Sequence, residues 1–120
     1  MNIPRYVLFF LLYSFIGLSA EEPVYFIHGF MRSYSSMNKM AKAFQKYDYD
    51  CYLWDYPSRS YTIEEHAQFL VEELKSCRER YKGVPIHFVT HSLGGLILRA
   101  ALNHPDCPKE AKIGRAVLLH

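Results

Sequence analysis

Short apolar runs alternate along most of the chain with stretches whose apolar residues recur at helical spacing. The runs cover Val24–Ile27, Cys51–Trp54, Ile86–Thr90 and Ala116–Leu119. Runs of this length are typical of strands buried on both faces of a sheet. Strands that alternate with helices predict an α/β fold, with a mostly parallel sheet, right-handed crossovers and helices on both faces.

Three segments between these runs carry the helical pattern. In the first, apolar residues recur at i, i+3, i+4 and i+7 from Met37 to Phe44. The second begins with Thr62 and Glu65, the signature of a capping box, and its apolar stripe continues until Gly83 stops it. The third runs from about Leu93 to Asn103 and ends before Pro105.

The first twenty residues have a different pattern. Arg5 is followed by an apolar run over Tyr6–Ile16, and small residues then lead to Ala20 and two glutamates. This order predicts a signal peptide over residues 1–20 and export of the remainder to the periplasm or the medium. An uncleaved membrane anchor and a buried N-terminal strand are the alternatives. Residues 21–120 then form the folded part.

Composition narrows the class of protein. Half of the 120 residues are hydrophobic and 22% are charged, which excludes a disordered tail and allows one domain. The net charge is only +2 and the basic residues are scattered along the chain, so nothing indicates a nucleic-acid partner. Cys51, Cys77 and Cys107 fit no metal spacing and allow at most one disulfide, which the sequence does not assign.

Two motifs follow predicted strands. They therefore lie at the carboxyl ends of the strands, where open parallel sheets bind their ligands. In the first, Ser92 lies between a strand and a helix, and Gly94 and Gly95 leave room for a sharp turn. Such a turn exposes the serine hydroxyl beside a helix N-terminus, where the Leu93 N–H can donate to an oxyanion. In the second, His28-Gly29-Phe30 ends the first strand, and the Phe30 N–H is the natural second donor.

The sequence His91-Ser92-Leu93-Gly94-Gly95, together with the upstream His28-Gly29-Phe30, resembles the α/β-hydrolase superfamily and, within it, the bacterial lipase and esterase branch. This resemblance implies Ser92 as nucleophile, an oxyanion hole of the Phe30 and Leu93 N–H groups, and no metal or cofactor. It also implies hydrolysis of a small-molecule or lipid ester, which a membrane surface could present. Thr90 departs from the glycine that usually begins this turn.

The acid and the base of this family follow the serine on later strands. This sequence continues only to the strand after the third helix, so neither partner is assigned, and we expect an apparently truncated domain. Without these partners only residual catalysis remains. The alternatives are therefore an inactive remnant or binding module, or an acyltransferase on the same scaffold.

The remaining candidates have ordinary structural interpretations. His28 is expected to shape its loop, His91 to pack or hydrogen-bond, His87 to be a hydrogen-bonded core residue in mid-strand, and His66 to be solvated on a helix face. His104 ends the third helix at the far side of the sheet, and His120 could lie near the site. Asp55 is expected to form a turn, and the aromatic residues between Tyr47 and Tyr56 to pack in the core rather than line an acyl pocket.

Overall fold

A computed structural model describes residues 21–29, 37–57 and 59–119 of the chain. Four strands form one parallel sheet in the order β2-β1-β3-β4. The strands are β1 (Glu22–Ile27), β2 (Tyr49–Trp54), β3 (His87–His91) and β4 (Ala116–Leu119). The predicted parallel α/β sheet is therefore confirmed, with strand ends that differ by one or two residues.

Four helices connect the strands within the described ranges. They are α1 (Asn38–Gln45), α2 (Ile63–Arg80), α3 (Leu93–Leu102) and α4 (Lys109–Ile113). The predicted capping box of α2 is present, with reciprocal bonds between Thr62 and Glu65. Helix α4 was not predicted, because five residues are too few to show a helical period.

The helices cover both faces of the sheet, as the sequence predicts. On one face, Tyr25, Ile27 and Phe88 pack against α2 and α3. On the other face, Val24, Phe26 and Val89 pack against Met37 and against residues of α1. Successive residues of β1 thus enter opposite cores, which explains why that strand is apolar throughout.

Strand β4 lies at one end of the described sheet and is largely exposed. Val117 is 51% exposed and Leu118 is 37% exposed. Gly114 leads into this strand past β3, where a Cβ atom would lie 1.8 Å from the Ile86 carbonyl oxygen. The chain can therefore reach the edge of the sheet only with glycine at this position.

The predicted signal peptide, residues 1–20, lies outside the described residues. No helix in the described ranges is long and apolar enough to cross a membrane. The three cysteines are free, so the disulfide that the sequence allowed is not formed.

Candidate active site

Ser92 occupies a strained position between β3 and α3. Its backbone has φ 54° and ψ −117°, a region that residues with a side chain seldom adopt. The turn is fixed by bonds from the Ser92 N–H to the Leu119 carbonyl and from the Gly95 N–H to the Ser92 carbonyl, both 2.9 Å. The serine is exposed and directly follows β3, at the carboxyl end of the sheet.

Close backbone packing explains the glycines around this turn. A Cβ atom on Gly94 would lie 2.5 Å from the Ile27 carbonyl oxygen. A Cβ on Gly29 would lie 2.9 Å from His91 Nδ1 and 3.2 Å from the Ser92 Cβ. The end of β1, the serine and the first turn of α3 are therefore in direct contact, and this contact requires the glycines.

The N-terminus of α3, which is the positive end of the helix dipole, lies beside the serine. Leu93 is the first helical residue, and although the Gly95 N–H bonds to the Ser92 carbonyl, the N–H groups of Leu93 and Gly94 have no carbonyl of the helix four residues before them. Their partial positive charge favours an anion at this point. The predicted second donor, Phe30, lies outside the described residues.

Three residues that follow β1 and β2 form a compact corner, which we call the β1 corner: His28, Gly29 and Tyr56. The His28 ring is fully buried and stacks on the Tyr56 ring with centroids 4.2 Å apart. His28 Nδ1 lies 2.9 Å from the Gly29 carbonyl oxygen, and the Tyr56 hydroxyl donates to the His28 carbonyl at 2.6 Å. Burial raises the pKa of Tyr56 to about 12, so its hydroxyl stays protonated.

Asp55 lies at the edge of this corner, with its Oδ1 3.6 Å from His28 Nε2. That separation is too long for a hydrogen bond, and the carboxylate is 62% exposed. The Asp55 carboxylate therefore lies close to the buried His28 ring, a proximity that the sequence did not indicate.

His66 corrects one prediction from the sequence. It was expected to be solvated on a helix face, but it is 1% exposed and packs among the rings of Tyr56, Tyr61 and Phe69. Burial lowers the pKa of His66 below its ordinary value. The helical pattern missed this because histidine was counted as polar, although the apolar stripe of α2 includes its position.

His91 ends β3 directly before the serine, whereas His87 and His104 are engaged away from it. His87 pairs with Glu22 through Nε2 at 2.5 Å and accepts from the Arg115 N–H through Nδ1 at 2.9 Å, so its ring is hydrogen-bonded as predicted. It begins β3 and is half-buried, however, and does not lie in mid-strand in the core. His104 follows α3 and accepts a bond from the Asp106 N–H. His120 lies outside the described residues. Among the described hydrogen bonds, none joins the Ser92 hydroxyl to a general base.

An open apolar depression of about 500 Å³ begins at the serine and follows the groove between α3 and β4. Its lining residues are Ser92, Leu93, Gly95, Leu96, Arg99, Leu118 and Leu119. Leucine side chains dominate this surface, so it suits an apolar group next to the Ser92 hydroxyl.

The prediction that the aromatic residues from Tyr47 to Tyr56 pack in the core is wrong for Tyr47, which precedes β2 and is 76% exposed. Tyr52 and Trp54 of β2 do lie against the core that includes residues of α2 and α3. Trp54 and Tyr56 also line a second depression of about 410 Å³ with Asp55 and Phe69. In the described ranges, no group of three or more His, Cys, Asp or Glu side chains could hold a metal ion.

Comparisons with known proteins agree with this architecture. A family model described as "alpha/beta hydrolase fold" matches residues 22–119. The solved structure of the product of gene lin2722 from Listeria innocua superimposes with a TM-score of 0.61 at 18% identity. The match covers 82% of this chain and 48% of that one, so this chain spans about half of its structural neighbour. No curated protein matches the sequence.

Proposed function

Because the chain belongs to the alpha/beta hydrolase fold family, we propose that it carries the nucleophile half of a serine hydrolase that cleaves carboxylic esters. The observation that supports this best is the backbone of Ser92, with φ 54° on an exposed strand-to-helix turn. Strain of this kind costs roughly 1–3 kcal/mol and persists mainly where function requires it. A packing role needs no exposed hydroxyl at such a position.

In the proposed reaction, the Ser92 Oγ attacks the ester carbonyl and loses its proton to a general base. The carbonyl oxygen becomes an oxyanion, which the N–H groups of Leu93 and Phe30 would stabilise next to the positive end of α3. Collapse of this intermediate expels the alcohol and leaves an acyl-serine, which water then hydrolyses to a carboxylic acid. The general base and its acid are assigned to no described residue.

The leucine-lined depression supports an apolar acyl group as the part of the substrate next to Ser92. Such a substrate fits the small-molecule or lipid ester that the lipase and esterase resemblance implies. The substrate, its presentation at a membrane surface and the expected export of the chain all belong to this proposal.

One observation favours a second candidate, a hydrolase-like binding module without turnover. No described histidine or carboxylate bonds to the Ser92 hydroxyl, and a serine without a base is a poor nucleophile. Loss of triad members leaves only residual catalysis from the oxyanion hole and binding.

Covalent labelling with a fluorophosphonate probe separates these candidates, with Ser92→Ala as the control. We expect labelling of the wild-type chain and none in the variant, because the probe reacts with a serine whose hydroxyl a general base activates. A folded wild-type chain that the probe leaves unlabelled would favour the binding module.

A further inference from the structure

The depression at the carboxyl end of β2, which we call the β2 depression, combines aromatic rings with carboxylates. It has a volume of about 410 Å³ and is lined mainly by Trp54, Tyr56, Phe69, Asp55, Glu72 and Glu73. Strand β2 lies at the end of the described sheet opposite β4, and β1 separates it from β3. The β2 depression shares no lining residue with the leucine-lined depression beside Ser92, so the two are separate surfaces.

Aromatic rings form one part of the lining. The rings of Trp54 and Tyr56 stack with centroids 5.2 Å apart and an interplanar angle of 21°. Phe69 belongs to α2 and is 46% exposed. The face of an aromatic ring carries partial negative charge and attracts cations, and tryptophan does so most strongly. These rings therefore offer an apolar surface that favours a positively charged ligand.

The carboxylates give the β2 depression negative charge. Among the described residues, no lysine or arginine lines it. Glu72 and Glu73 are each paired with a basic side chain of α2, at 3.2 Å and 3.4 Å. Asp55 has no lysine or arginine partner in the described ranges, and its carboxylate is 62% exposed. Asp55 is thus the lining carboxylate best able to pair with a cation from solution.

The arrangement favours an organic cation over a metal ion. In the part of the chain that the structure describes, no three His, Cys, Asp or Glu side chains could hold a metal together. The volume is in the range of small-molecule sites, roughly 300–1,000 Å³. A ligand that fits must place apolar atoms on the rings and a positive group near a carboxylate. An ammonium group on a short alkyl chain meets both requirements.

We propose that the β2 depression binds a small organic cation of the alkylammonium class. Its alkyl part lies against Trp54 and Phe69, and its ammonium group lies next to Asp55. This site goes beyond the proposed hydrolase function and does not depend on it, because none of its residues is assigned to chemistry at Ser92.

Trp54 makes the proposal directly measurable, because it is the only tryptophan in the sequence. The full chain is titrated with n-butylammonium chloride at constant ionic strength, and the fluorescence of Trp54 is followed. The neutral 1-butanol, which is similar in size, serves as the comparison. We expect a saturable change with half-saturation at a concentration at least about fivefold lower for butylammonium, because only the cation gains from the ring faces and the carboxylate.

Two variants test the two parts of the site. Asp55→Asn keeps the shape of the side chain and removes its charge, so it should weaken butylammonium binding at least about threefold and leave the response to 1-butanol unchanged. Phe69→Leu should weaken butylammonium binding at least about twofold, because one ring face is lost. The matched controls are Glu64→Gln and Tyr47→Leu, which remove an exposed carboxylate and an exposed ring that do not line the depression. Both should bind as the wild type does.

Circular dichroism establishes that each variant is folded, and the exposed Asp55 keeps the test valid if Phe69→Leu does not fold. Equal half-saturation for butylammonium and 1-butanol would overturn the proposal. Equal weakening by Asp55→Asn and Glu64→Gln would also overturn it, because the cation would then respond only to the overall surface charge.

Ser92→Ala separates this site from the proposed hydrolase function. We expect it to bind butylammonium as the wild type does, and a loss of binding in this variant would place the ligand at the serine and overturn the proposal. A wild-type chain that binds butylammonium as expected but is not labelled by the fluorophosphonate would support the cation site and count against the hydrolase function alone.

Discussion

Gly94 lies where α3 crosses the end of β1, and the backbone leaves no space for a methyl group. Its Cβ would meet the Ile27 carbonyl oxygen at 2.5 Å and the His28 carbonyl oxygen at 2.9 Å. By contrast, a Cβ on Gly95 would meet only side-chain atoms of Leu118 and Thr90, at 3.3 Å. These neighbouring glycines therefore form a matched pair for measuring how tightly the turn at Ser92 is packed.

We expect Gly94→Ala to lower the free energy of unfolding by about 3 kcal/mol, because β1 and α3 must separate to admit the methyl group. Gly95→Ala should change it by less than about 1 kcal/mol, because side chains can adjust and alanine favours the helix. Urea denaturation followed by circular dichroism measures both. Similar losses in the two variants would show that the packing at Gly94 is not the cause.

The burial of His66 predicts a pH dependence of stability. Its folded-state pKa is lowered from the usual value of 6.5, chiefly by burial, so the unfolded chain binds a proton more readily. The contribution of neutral His66 to the free energy of unfolding is fully present above about pH 6.5. It is lost as the pH falls through the folded-state pKa of His66. Glu65 and His28 are the charged and titratable neighbours of His66, and a substitution of His66 alone leaves both in place.

The control for this prediction is His66→Phe, which keeps an aromatic ring among Tyr56, Tyr61 and Phe69. Urea midpoints at about pH 7.5 and about pH 5.5 should show the wild-type chain losing more stability on acidification than the variant does. An identical pH dependence in both proteins would mean that His66 is not the group responsible.

At the scale of elements, the capping box makes a local contribution to the stability of α2 that can be measured by itself. The Thr62 hydroxyl accepts from the Glu65 N–H at 3.1 Å, and the Glu65 carboxylate accepts from the Thr62 N–H at 3.0 Å. Thr62→Ala should destabilise the chain by about 1 kcal/mol, because one N–H of the first turn loses its partner. Thr62→Ser keeps the hydroxyl and should stay within about 0.5 kcal/mol of wild type in the same urea titration.

Local sequence patterns predict some features of the strands and helices and miss others. The capping box and the apolar stripe locate α2 well, since both arise from neighbouring residues in the sequence. Helix α4 escapes the pattern, because its five residues contribute only Ala111 and Glu110 to the buried surface. Gly114 is required by the Ile86 carbonyl oxygen, a contact that no local pattern contains.

At the scale of the whole molecule, the exposed apolar strand β4 predicts how the chain behaves in solution. It lies at one end of the described sheet, Val117 and Leu118 are exposed, and its four residues carry no charge. We expect residues 21–120 alone to associate or to be poorly soluble. Sedimentation velocity should therefore show oligomers or loss of material from solution.

Val117→Lys should shift this chain toward monomer, because a charge on an edge strand opposes further pairing. Ile113→Lys is the matched control, since Ile113 is 62% exposed but lies on α4 rather than on the strand. It changes the net charge equally and should leave association in place. A wild-type sample that is monodisperse, monomeric and cooperative in melting would contradict the edge explanation and the half-domain interpretation.

The sequence by itself determined the parallel α/β order, the helices of substantial length and the resemblance that led to Ser92, because each depends on residues close together in the chain. Only the tertiary structure decided which separate segments meet. It brings Tyr56 onto His28, packs Gly29 against Ser92 and buries His66, and it opens a leucine-lined groove beside the serine. Apolar periodicity reports which face of an element is buried, but contacts between side chains on different strands depend on how the elements pack.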